Sequence, residues 1–141
     1  MGRSAGRQVI VTRVLTAMTE REGEPLSLAD LCRIAGVSER TLYYAFKQHC
    51  NVSPARFLKV HRLQGAFRDL CRADTMDMTI ADIANKWGFW HMGQFAKDFR
   101  ALHGMLPSET RRKAVRHASK TGGCVLGPAF AGRRPSPSGR R

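Results

Sequence analysis

Apolar residues recur at helical spacing along most of the chain, and the polar residues between them mark where each helix starts and stops. Val9, Ile10, Val14, Ala17 and Met18 form a stripe over residues 8–20. Pro25 ends it. Ser27 is placed to cap a short helix over residues 28–35, which Gly36 terminates. Ser38 caps the next, from 39 to about 49, and Asn51 suits the left-handed position behind it. Ser53-Pro54 opens the longest helix, which runs to about residue 73, with proline at the first helical position. Its apolar face is Phe57, Val60, Leu63, Phe67, Leu70 and Cys71; Arg56, Lys59, Arg62 and Arg72 make the wet one. Thr79 caps a helix over 80–87 ended by Gly88, another runs from about 92 to 102, and Pro107-Ser108 opens a last one to about 115. No segment alternates with period two. The pattern predicts an all-α fold of about seven helices.

Two stretches of this pattern are copies of each other. Ala29-Asp30-Leu31 and Gly36-Val37 match Ala81-Asp82-Ile83 and Gly88-Phe89 at an offset of 52. Leu42, Phe46 and Lys47 match Phe95, Phe99 and Arg100 at 53, as Val52-Ser53-Pro54 matches Met105-Leu106-Pro107. The offset changes inside the turn, so the second turn is one residue longer. Each copy is a short helix, a glycine-containing turn and a second helix, the helix-turn-helix layout. Leu31 with Leu42, and Ile83 with Phe95, are placed where the paired helices cross. Cys32 and Ala84 are small where the helices approach, Gly36 and Gly88 allow a left-handed turn, and Phe46 and Phe99 anchor the second helix of each pair.

Charge narrows the partner. The 141 residues carry 24 Lys+Arg against 11 Asp+Glu, a formal net charge of +13. That points to a polyanion, although a basic soluble surface is the plainer alternative. Residues 116–141 contain six Lys/Arg, no acid, and many Gly and Pro. They read as a disordered basic tail, as residues 1–7 read as a disordered start; the remaining chain keeps a positive balance. No apolar run approaches the roughly 18 residues of a membrane span, and no signal-peptide core follows the basic start. The expected location is the cytoplasm, on the nucleoid, with no membrane partner. Cys32, Cys50, Cys71 and Cys124 form no CxxC and meet no zinc-spaced histidines, so neither metal nor cofactor is expected; Cys32 and Cys71 read as small buried residues. There is no Ser/His/Asp set, phosphate-cradling glycine loop or HExxH, and the histidines at 49, 61, 91, 103 and 117 fall on different helices. Catalysis is not expected.

The duplicated motif resembles the AraC/XylS family of bacterial transcription regulators over roughly residues 8–112. The first copy runs from Pro25 through Ala29-Asp30-Leu31 and Gly36-Val37-Ser38 to Phe46-Lys47; Arg62-Leu63, Ala66 and Leu70 fit the connecting helix. The second copy carries Ile80-Ala81-Asp82-Ile83-Ala84, Gly88-Phe89, Phe95, Phe99, Gly104 and Pro107-Ser108-Glu109-Thr110-Arg111. The run from Trp87 to Phe95 looks like a subgroup that includes ethanolamine-operon regulators. The resemblance implies two helix-turn-helix subdomains, 8–52 and 74–115, joined by a linker helix over 53–73. The second helix of each would enter neighbouring major-groove segments of double-stranded DNA. A helix of about 20 residues spans roughly 30 Å, against roughly 34 Å for a DNA turn. Three positions depart from the family pattern: Tyr44, where many relatives carry Arg; Asp69, where the connecting helix is often apolar; and Met92-Gly93, where polar residues are usual.

The faces turned away from the anchoring residues supply the candidate contacts. In the first recognition helix Arg40, Tyr43 and Tyr44 are candidates for base edges, Arg through a bidentate grip on guanine; partial packing in the core is the alternative for both tyrosines. In the second, Gln94 suits adenine, and Lys97 reaches guanine or phosphate. Backbone candidates are Thr41, Lys47, Arg56, Lys59, Arg62, His91, Arg100 and Arg111, which would set register rather than sequence. Arg62 has a structural alternative, tying helices together, and His91 has another as a plain N-cap. Trp90 is expected to be partly buried. RNA polymerase is a second partner to consider. With only seven residues before the first helix, the chain reads as a stand-alone member or as the C-terminal piece of a longer one, and no small-molecule ligand is expected. The rival to sequence-specific reading is a non-specific architectural role, which random competitor DNA would expose.

Overall fold

Ser27 and Thr79 perform the same operation 52 residues apart. The Ser27 hydroxyl accepts the Asp30 N–H at 3.1 Å, and the Asp30 carboxylate accepts the Ser27 N–H at 2.9 Å. Thr79 and Asp82 repeat the exchange at 3.0 Å in both directions. These are capping boxes with Asp in the third helical position. They explain why the repeated tripeptides carry an aspartate. Both carboxyls are held below the ordinary carboxylate range, chiefly by the N–H bond from the capping residue's backbone.

The computed structural model describes residues 2–121, with residues 2–5, 120 and 121 described by their backbone alone. Its helices are α1 (Gly2–Glu20), α2 (Leu28–Ala35), α3 (Glu39–Cys50), α4 (Pro54–Cys71), α5 (Ile80–Lys86), α6 (Met92–His103) and α7 (Pro107–Thr121), with a single 3₁₀ turn at Ala73–Thr75. No strand occurs among the described residues. Both ends extend further than composition suggested. α1 begins at Gly2, so residues 2–7 are helical rather than disordered; Arg7 donates to the Gln48 amide of α3 at 2.7 Å. α7 continues through residues 116–121, where no proline or glycine intervenes before Gly122. Once a helix is nucleated, each added residue gains a hydrogen bond at little cost. The rest of the expected tail, with Cys124, lies outside the described residues.

The chain divides into two compact units between Arg62 and Leu63, inside α4. The first buries Val11, Val14, Met18, Leu26, Leu31, Ala35, Leu42, Ala45, Phe46 and Leu58 together. Phe57 closes the cluster edge-on to Phe46, ring centres 5.3 Å apart. Gly36 stands at φ 71° and donates to Cys32 O, ending α2; Asn51 takes φ 63° to end α3. The Arg62 guanidinium grips the Leu26 carbonyl with two N–H groups at 2.7 and 3.1 Å, which fastens α4 to the loop ahead of α2.

The second unit buries Leu63, Ala66, Phe67, Leu70, Cys71, Ile83, Ala84, Trp87, Phe95, Phe99 and Ala114. His103 is buried as well, its ring 4.6 Å from Phe67 and 4.5 Å from Phe99. Trp87 is the largest wholly enclosed side chain. It lies against Gly65, where a Cβ would meet its ring at 2.3–2.5 Å. Its indole N–H donates to Asp69 Oδ2 at 2.9 Å, and Lys86 Nζ reaches the same oxygen at 2.7 Å. Asp69, which breaks the apolar pattern of α4, is therefore a buried carboxylate with charged and neutral donors. Thr75 donates to its main-chain carbonyl.

Candidate nucleic-acid interface

Each unit turns one helix face outward because the opposite face is used up. In α3, Leu42, Ala45 and Phe46 are wholly enclosed, which leaves Arg40, Thr41, Tyr43, Tyr44 and Lys47 exposed. In α6, Phe95, Phe99 and His103 take the inner face, leaving Gln94, Lys97 and Arg100 outside. Helix spacing thus dictates both sets.

The α3 face is partly organised in advance. Ser38 caps the helix by accepting the Thr41 N–H, and its hydroxyl meets the Thr41 hydroxyl at 3.1 Å. Tyr43 and Tyr44 are 45% and 44% exposed, so neither is a core residue, and their rings meet edge to face at 5.7 Å. The Arg40 guanidinium lies 5.4 Å from the centre of the Tyr44 ring, a cation–π approach that limits the rotamers of a long side chain. Arg40 and Tyr43 also border an open groove between α3 and the Ser53–Ala55 start of α4. Arg56 and Lys59 are exposed on α4.

The α6 face differs. His91 holds the N-cap position but makes no side-chain capping bond, and it is exposed. Gln94 donates through its amide to Asp98 one turn on, at 3.0 Å. That aims the amide, and it adds a carboxylate that was not among the candidate contacts; the i, i+4 spacing of Gln94 and Asp98 was the available signal. Trp90 was expected to be partly buried but is 70% exposed.

Two of the backbone candidates are committed elsewhere. Arg62 holds Leu26, as above. Arg111 donates to the carbonyls of Thr75 and Met78 at 3.1 and 3.3 Å and touches the Met76 sulfur. Both are half-buried ties within their units. Among the described residues, no group of His, Cys, Asp or Glu is arranged to hold a metal ion, and no helix is long and apolar enough to cross a membrane.

A family model described as a helix-turn-helix domain matches residues 31–113. The crystal structure of a probable AraC family transcriptional regulator from Rhodopseudomonas palustris CGA009 matches at TM-score 0.63 and 32% identity, over 74% of this chain and 96% of that one. The chain belongs to the AraC family. A further AraC-type DNA-binding structure, a transcriptional regulator from Chromobacterium violaceum, matches at TM-score 0.63 and 28% identity, over 79% and 97%. Among AraC/XylS-type relatives, a probable thc operon regulatory protein of Rhodococcus erythropolis is 40% identical over 63% of this chain and 27% of its own. The XylDLEGF operon transcriptional activator 2 of Pseudomonas putida is 32% identical over 70% and 62%. The chain thus spans from about a quarter to under two thirds of these curated relatives. This AraC-type family consists of DNA-binding transcription regulators, not enzymes.

Proposed function

We propose that this chain is the DNA-reading part of a transcription regulator, and that α3 and α6 enter two successive major-groove segments of one double-stranded operator. The observation that carries this reading is the matched construction of the two helices. Each is anchored by a fully enclosed phenylalanine, Phe46 or Phe99, and each presents polar and cationic side chains on the opposite face. Arg40 and Tyr43 read bases from α3, with Tyr44 supporting Arg40; Gln94 and Lys97 read from α6. Thr41, Lys47, Arg56, Lys59, His91 and Arg100 meet phosphates. Arg62 and Arg111 each brace their own unit, through Leu26 O and through the Thr75 and Met78 carbonyls, instead of contacting DNA. On this reading the chain works on the nucleoid, with RNA polymerase as a second partner where an operator adjoins a promoter; the activator named among the relatives supports that role.

Selection of bound duplexes from a random pool at moderate salt tests the proposal. Two conserved blocks about one helical turn apart are expected. Binding without any recovered motif, lost steeply as salt rises, would mean that the +13 charge acts alone in an architectural role.

A further inference from the structure

The turn ahead of α6 is one residue longer than the turn ahead of α3, and the backbone identifies the additional residue. Val37 N–H donates to Cys32 O and Phe89 N–H to Ala84 O, so Val37 and Phe89 are counterparts. Leu42 N–H donates to Ser38 O and Phe95 N–H to His91 O, so Ser38 and His91 are counterparts. Nothing stands between Val37 and Ser38. Trp90 stands between Phe89 and His91.

Phe89 already fills the place of Val37. It is half-buried, its ring 4.9 Å from Phe95. The added residue is left outside, 70% exposed, and Met92 follows at 36%. Two apolar side chains therefore flank the N-cap of α6. In a helix-turn-helix, the N-terminal residues of the second helix are those that contact base edges. An isolated exposed apolar residue is ordinary. This one is an added indole at the point that would meet DNA first.

We propose that Trp90 is a specificity-determining residue that packs its indole against the methyl group of a thymine in the major groove. The proposal rests on the DNA reading given above. In the major groove the apolar feature of a base edge is the thymine C5-methyl. Indole offers a flat apolar surface and one N–H donor, with no acceptor. It can therefore cover a methyl, yet it cannot satisfy the amino groups of adenine or cytosine. Lys97 and Arg100, exposed further along α6, supply the charge that an indole lacks.

The test uses the duplex recovered by selection, with each thymine replaced in turn by deoxyuridine, which lacks only the methyl. Kd is measured for the parent chain and for Trp90→Ala. One replacement is expected to weaken the parent about fourfold, the factor for removing one buried methyl, and to leave Trp90→Ala unchanged. Trp87 is enclosed, so the acrylamide-accessible fluorescence is that of Trp90 and should become shielded on binding. Equal weakening of every duplex by Trp90→Ala would indicate packing on sugar and phosphate and would overturn the proposal. So would an unchanged affinity, or a lowered melting temperature of the unbound variant. In each of those cases a recovered motif leaves the DNA reading standing, whereas failure to recover any duplex overturns both.

Discussion

Gly65→Ala should destabilise the second unit even though alanine is the better helix former. In an exposed helix interior the exchange would gain about 1 kcal/mol. Here the new methyl would lie 2.3–2.5 Å from three carbons of the Trp87 ring, whereas carbon atoms settle at roughly 3.5–4.0 Å. The ring must retreat by about 1 Å. It is wholly enclosed, and its N–H is held by Asp69 at 2.9 Å. Overpacking of this kind costs about 1–3 kcal/mol, and releasing a hydrogen bond to a carboxylate about 1.5–3 kcal/mol. The net expectation is a loss of about 1.5–5 kcal/mol. Urea unfolding followed by circular dichroism measures it, and Trp87 emission in a Trp90→Phe background reports the ring's surroundings. In a Trp87→Phe background the colliding atoms are gone, so Gly65→Ala should become neutral or stabilising there. A Gly65→Ala variant as stable as its parent, with unaltered Trp87 emission, would refute the argument.

Other outcomes follow from the same contacts. Arg40→Ala and Gln94→Ala should each relax base preference in one block of the selected motif, at about 1–3 kcal/mol, read by repeating the selection. Arg62→Ala should lower the melting temperature by removing two charge-assisted bonds to Leu26 O, together about 1.5–3 kcal/mol. Arg56→Ala should leave the melting temperature unchanged and reduce the salt slope of DNA binding by about one. Asp30 and Asp82 have lowered carboxyl values in the folded chain, so the native state binds fewer protons than the unfolded one in mild acid. Their stabilisation is complete above the ordinary carboxylate value of about 4 and is lost as pH falls through the lowered values. Urea midpoints of Asp30→Ala/Asp82→Ala should therefore depend less on pH between about 5 and 2 than those of the parent.

Helix count, the caps at Ser27, Ser38 and Thr79, and the enclosed anchors Phe46 and Phe99 were all legible, because each depends on residues within a few positions of one another. The repeat added the pairing of helices, which periodicity alone does not supply. What escaped was set by long-range contacts or by averaging. The tail looked disordered because its glycines and prolines begin only at 122, which hid six helical residues. Arg111 looked like a phosphate contact because nothing local announces that its guanidinium meets carbonyls 33 and 36 positions earlier. Trp90 looked half-buried because tryptophan usually is. Only the comparison of the two turns shows that its neighbour had taken the inward place.

Asp69 also constrains how this sequence can change. The carboxylate serves Trp87 and Lys86 together, so replacing it by leucine alone would withdraw an acceptor from an enclosed indole. A lineage moving from this chain toward an apolar residue at 69 must alter position 87 at nearly the same time, or pass through a poorly folding intermediate. The two sites should therefore behave as one inherited character, so that across related chains an aspartate at 69 travels with tryptophan at 87.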